Sequence, residues 1–127
     1  MDNIIAWLTS AIAFGTIIMY GSLGEILTEK SGNLNLGVPG IMYIGGFAGF
    51  ASAYYYEKLA ANPNAVLCFL IPVLCALAAS VLAGLIFSFL TTTLRANQNV
   101  TGLALTTFGT GIANFFGLFI LNGASYT

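Results

Sequence analysis

The sequence predicts an all-α fold: an integral membrane helical bundle of about four transmembrane segments, one of them broken or re-entrant. Three observations lead there. Hydrophobic residues make up 58% of the 127 residues and charged residues 6%, too few to coat a soluble globule. The apolar residues fall into four runs, each near or above the ~20 residues that cross about 30 Å of hydrocarbon. Between the runs lie short breaks marked by Asn, Gly, Pro and charge. The chain therefore reads as a single transmembrane region over residues 1–127.

The first run, residues 4–23, carries no charge, and Trp7 near its start suits an interfacial anchor. Ala11 and Gly15, four apart, form a flat strip for helix packing. The beginning Met1-Asp2-Asn3 lacks the basic lead of a cleavable signal peptide, so a retained helix is expected. The following stretch, residues 24–42, holds Glu25, Glu29 and Lys30 and ends in Val38-Pro39-Gly40. Its segment 24–37 is expected to shape a re-entry into the membrane.

The second run, residues 39–56, begins with a proline at a first-turn position, where the missing N–H costs nothing. Gly45 and Gly49, with Ala53 four further on, leave one face nearly bare for another helix. Tyr54, Tyr55 and Tyr56 mark an interface, and Glu57-Lys58 marks emergence into water.

Asn62-Pro63 is a breaker and Asn64 a cap for the third run, residues 65–94. A straight helix of that length spans roughly 45 Å, so tilt, protrusion or a kink at Pro72 is expected. Thr91, Thr92 and Thr93 are read as the end leaving the membrane, while Ala76, Ser80 and Gly84 continue the small-residue spacing. Cys68 and Cys75 lie two turns apart, about 10 Å along a helix. That exceeds disulfide reach, and both read as buried apolar thiols.

After the break at residues 95–99, the fourth run, residues 100–121, is rich in small and polar residues. Thr101, Gly102, Thr106, Thr107, Gly109, Thr110, Gly111, Asn114 and Gly117 suit contact with other helices or a wet pathway, with a break expected at Gly109-Thr110-Gly111. Lys30 and Arg95 fall on one side of the bundle and Lys58 on the other, which by the positive-inside rule puts the Lys30 side in the cytoplasm.

Three basic residues and a net charge of −1 provide no patch for phosphates, so no nucleic acid is expected. With no His, no nucleophile and base arrangement, no phosphate loop of the GxxxxGK[ST] type and no metal cluster, neither an enzyme nor a cofactor or metal site is predicted. Glu25 and Glu29, spaced i and i+4, admit two readings: a carboxylate pair that takes a proton or cation, or a solvated charge cluster with Lys30. Asn33 and Asn35 suit freed backbone groups, and Gly32, Gly37 and Gly40 suit irregular or closely packed backbone. A helix starting near Pro39 would also point free N–H groups and its positive end toward a polar substrate, as broken transporter helices do.

The stretch GEILTEKSGNLNLGVPGIM, followed by YIGGFAGF, resembles the N-terminal signature of permease subunits of ATP-binding-cassette importers for nucleosides, ribose-like sugars and branched-chain amino acids. LRANQNVTGLALTTFGTGIANFFG, residues 94–117, resembles the same group, and the nucleoside or simple-sugar branch is the nearest. The resemblance implies an N-terminal portion of a longer permease in the cell membrane of a bacterium, forming a translocation pathway among lipid. It further implies a second permease subunit, cytoplasmic ATPase subunits that hydrolyse the ATP, and an extracellular substrate-binding protein. By position, Glu29, Asn33, Asn35, Gly37, Gln98, Thr101 and Gly102 match the pattern, and Asn114 joins them as a pathway candidate. Either of two roles fits these residues, holding a turn or touching substrate. Pro39 stands where relatives often carry Glu. Gly45, Gly49 and Gly84 are the candidate helix-packing positions. The competing class is an autonomous small membrane protein, either an oligomeric transporter using Glu25 or Glu29 or an assembly protein.

Overall fold

The computed structural model describes residues 2–60, 62 and 64–124. Four helices run up and down in chain order: α1 (Asp2–Lys30), α2 (Val38–Leu59), α3 (Ala65–Ser88) and α4 (Gln98–Ala124). No strand occurs among the described residues. Three helical stretches, Asn3–Lys30, Ala65–Thr93 and Gln98–Gly123, are long and apolar enough to cross a membrane. α2 has 22 residues, long enough by the helical rise, but its glycines and tyrosines make it less apolar. It is the central helix, packed along both α3 and α4 and touched by α1.

α1 does not stop at residue 23. It continues through Lys30, so Glu25, Glu29 and Lys30 sit on its last two turns rather than in a re-entrant loop. The charged residues are good helix formers, and charge marks exit from the bilayer without ending a helix. What ends it is Gly32, in the left-handed region at φ 85°. Gly32 N–H bonds to Glu29 C=O at 2.9 Å, and Asn33 N–H to Thr28 C=O at 3.1 Å. This pair of bonds is a Schellman closure, which needs a positive φ and so favours glycine. The expected re-entry at 24–37 is thus a helix end plus a short loop.

The packing of α2 is set by glycines. A Cβ on Gly45 would strike the Ser80 hydroxyl, and one on Gly49 would sit 3.4 Å from both the Ala76 methyl and the Pro72 carbonyl. On the other side, Gly40 lies against the backbone of Leu105 and Thr106, and Gly109 against the backbone of Gly40. Two glycines at one crossing let the helix backbones touch. Gly84 takes no part in this: nothing lies within 4 Å of where its Cβ would be.

α3 runs unbroken through Pro72, and its departure from α geometry comes later, where Phe89–Thr93 widens into a π-helical turn. Leu94 N–H reaches back to Phe89 C=O at 3.2 Å, Ala96 N–H to Leu90 C=O at 3.0 Å, and Arg95 adopts φ 51°. α4 also runs unbroken through Gly109-Thr110-Gly111. There Thr110 Oγ1 donates to the carbonyls of Thr106 and Thr107, at 2.9 and 3.0 Å, and Gly109 serves as a contact point instead of a hinge. The Asn64 side chain caps α3 by accepting from Val66 N–H at 3.0 Å. Pro63, read as a breaker, and residues 125–127 lie outside the described residues. Cys68 and Cys75 are free thiols and half-buried.

Ala83, Phe87 and Ile120 are the buried apolar residues, and most large apolar side chains, from Ile4 to Leu121, point outward. Such a surface belongs in hydrocarbon or against other apolar protein, not in water.

Candidate functional site

The two polar breaks predicted on one side of the bundle meet there. Gln98, the first residue of α4, reaches the loop between α1 and α2. Its Nε2 donates to Asn33 Oδ1 at 2.5 Å, and its Oε1 accepts from Leu34 N–H at 3.0 Å. One amide thus fills both its donor and acceptor roles on adjacent residues. Asn97 just before it caps α4, its Oδ1 accepting from the N–H groups of Asn99 and Val100 at 3.0 and 3.3 Å.

Asn35 is 6% exposed. Its Oδ1 accepts from Gly37 N–H at 2.9 Å, its C=O from Val38 N–H at 3.3 Å, and its own N–H donates to Glu25 Oε1 at 3.1 Å. A carboxylate from the end of α1 therefore stands beside the start of α2, where the positive end of a helix dipole favours it. Pro39 brings no N–H to that turn, and Gly37 and Val38 spend theirs on Asn35. Of the N–H groups expected to point toward a substrate, those of Gly37 and Val38 are thus taken by the loop itself.

α4 completes the seat. Thr106 Oγ1 donates to Leu36 C=O at 2.7 Å. Gly102 lies directly under the loop: a Cβ there would come within 2.9 Å of both Gly37 N and Leu36 N. Of the sequence candidates, the structure brings Asn33, Asn35, Gly37, Gln98 and Gly102 into one cluster. Thr101 is buried but lines a separate cleft of about 470 Å³ with Phe87, Leu90 and Phe108. Asn114 is exposed, four turns along α4 from Gln98 and apart from the cluster.

Glu25 and Thr106 also belong to the seat. Glu25 was visible as a charge at a membrane boundary, but its partner, a backbone N–H ten residues on, has no sequence signal. Glu25 and Glu29 line a shallow cleft of about 520 Å³ with Ser22, Asn35 and Leu36. The described residues contain no cluster of His, Cys, Asp or Glu able to hold a metal ion.

A bundle of long apolar helices, with its polar breaks tied together at one end, defines a multi-pass membrane protein. Residues 6–126 match the family described as the branched-chain amino acid transport system permease component, and the chain belongs to that family. Over 110 residues it is 34% identical to a Haloferax volcanii protein provisionally named a glucose ABC transporter permease protein, TsgC13, covering 87% of this chain and 30% of that one. Over 108 residues it is 29% identical to the guanosine ABC transporter permease protein NupQ of Bacillus subtilis, covering 84% of this chain and 32% of that one. The chain thus spans about a third of the length of these relatives. No solved structure matches it.

Proposed function

We propose that this chain is the N-terminal part of the permease of an ATP-driven importer and forms part of the wall of its translocation pathway. The family match over residues 6–126 carries the reading. The two relatives are named for glucose and guanosine, which share a ring bearing several hydroxyls, so the substrate class is a nucleoside or a related sugar. In this reading ATP is hydrolysed by cytoplasmic ATPase subunits, an extracellular binding protein delivers substrate, and a second permease subunit completes the pathway. Asn33, Asn35 and Gln98 act as holders of the turn, because each already spends side-chain groups on the protein itself.

The test is uptake of labelled guanosine and glucose by cells with and without the gene, together with affinity purification of the chain from native membranes. Uptake of either that depends on ATP and on the gene, with an ATPase in the purified complex, supports the proposal. Uptake unaffected by deletion, or a homo-oligomer that moves protons without an ATPase, overturns it in favour of an autonomous transporter.

A further inference from the structure

Ser22, Glu25 and Glu29 recur at i, i+3 and i+7 and so share one face of α1 near its C-terminal end. That face opens on the cleft of about 520 Å³, which Asn35 of the loop and Pro39 and Met42 of α2 also line. The volume falls within the roughly 300–1,000 Å³ of small-molecule sites. Glu29 is exposed, and its carboxylate has no partner among the described residues. Glu25 Oε1 takes the Asn35 N–H, but its Oε2 receives only a long hydrogen bond from Thr28 Oγ1, at 3.4 Å. Both carboxylates thus keep acceptor capacity that the fold does not use.

Asn35 gives an independent sign of a ligand. It is 6% exposed, and its N–H, C=O and Oδ1 are bonded to Glu25, Val38 and Gly37. The bond from Gly37 N–H fixes which end of the amide is Oδ1, so the other end is the Nδ2 donor. Nδ2 has no partner among the described residues, yet no polar side-chain atom there is fully buried without one. Nδ2 therefore keeps an opening, and Asn35 lines this cleft. Two carboxylates with a donor beside them suit a ligand that donates and accepts at once, as hydroxyl groups do. A bare cation would be drawn by the carboxylates but repelled by the Nδ2 hydrogens. We propose that this cleft, between the end of α1 and the start of α2, binds ring hydroxyls of the substrate. Glu29 and Glu25 Oε2 accept from them, and Asn35 Nδ2 donates to one while Oδ1 still holds the turn. Pro39 and Met42 give the C–H groups of the ring an apolar surface. The proposal rests on the permease reading and adds to it the groups that recognise the ring.

Equilibrium binding tests this, using the whole permease purified from native membranes with its ATPase subunits and without the binding protein. The probes are labelled guanosine and glucose, set against dideoxyguanosine and singly deoxygenated glucoses. Glu29→Gln should weaken binding of the imported compound by about tenfold, the share of one hydrogen bond to a charged group. Its unfolding temperature should stay that of the wild type, since the carboxylate holds nothing in the protein. At least one deoxy analogue should bind the wild type about as weakly and lose nothing further in Glu29→Gln, because the hydroxyl and the carboxylate form one interaction. Glu57→Gln, at the other end of α2, should leave binding unchanged. In a complex that retains its ATPase, three results overturn the cleft proposal and leave the permease reading standing. They are no binding of either probe, binding that Glu29→Gln does not weaken, and binding that requires sodium ion but ignores the missing hydroxyls. Absence of any ATPase from the wild-type complex overturns the permease reading itself, and the cleft proposal with it.

Discussion

Gln98 and Asn33, 65 positions apart in the chain, meet side chain to side chain, and the same Gln98 amide also holds the neighbouring Leu34 N–H. The pair joins the start of α4 to the loop that links α1 and α2. Gln98→Ala removes both bonds and leaves the exposed Leu34 N–H to water, a loss of about 0.5–1.5 kcal/mol for each bond. The single changes Asn33→Asp and Gln98→Glu should be milder, since in each case the remaining amide can donate to the new carboxylate. The double change sets two carboxylates face to face and should cost more than the two single losses added. Thermal unfolding in detergent, arranged as a double-mutant cycle, checks this. Additive losses would mean that the contact is not energetically coupled.

Glycine positions give a sharper contrast. At Gly109 a methyl group would run into the backbone of Gly40, whereas at Gly111, two residues on, it would meet nothing within 4 Å. Gly109→Ala must push α2 and α4 apart, at a cost of roughly 1–3 kcal/mol as in other overpacked sites. Gly111→Ala should be neutral or stabilising by up to about 1 kcal/mol, because it only improves helix propensity. Melting temperatures of the two variants should therefore move in opposite directions, or the first alone should fall.

These contrasts also show what the sequence makes legible. The membrane class, the number of helices and the starts of α2 and α3 follow from composition and from Pro39 and Asn64, because they depend on local chemistry. The end of α1 does not follow so readily, since Glu25, Glu29 and Lys30 look like a loop to any reading that equates charge with exit from a helix. Gly32 was the available signal for the true stop. Gly109 and Gly111 look alike in sequence, and the predicted break there failed because a glycine serves a tight crossing as well as a bend. Only the position of Gly40 across the interface decides between them. The seat built by Glu25, Gln98 and Thr106 rests on contacts 10 to 70 positions apart, and one sequence alone does not show which polar residues will face each other.

Glu25 offers a test of charge against shape. Its Oε1 accepts from Asn35 N–H, a bond that a neutral amide oxygen can also make. Glu25→Gln should keep the loop in place and unfold close to the wild-type temperature, while Glu25→Ala leaves the Asn35 N–H unpaired beside a buried side chain, at about 1–3 kcal/mol. Protease resistance of the loop in detergent distinguishes the two. If Gln destabilises as much as Ala, then the charge beside the start of α2, and not the hydrogen bond, is what Glu25 contributes.

The end of the π-helical turn supplies the last test. Arg95 holds φ 51°, the one positive φ at a non-glycine residue among those described, at the point where the chain leaves Thr93 and turns toward Asn97. An L-residue in this region gives up on the order of 1 kcal/mol because its Cβ crowds the following carbonyl. Arg95→Gly removes that crowding and should raise stability, by less than the full amount because glycine also gains freedom in the unfolded chain. Arg95→Ile, with a branched Cβ, should be the most destabilising change at this position. Because Asn97 and Gln98 follow directly, misplacing this turn should also loosen the Gln98 clamp. The expected order of unfolding temperature is Gly above Arg above Ile, with protease cleavage in the loop at residues 31–37 appearing first in the Ile variant. An Ile variant as stable as the wild type would show that the turn takes up a different backbone path.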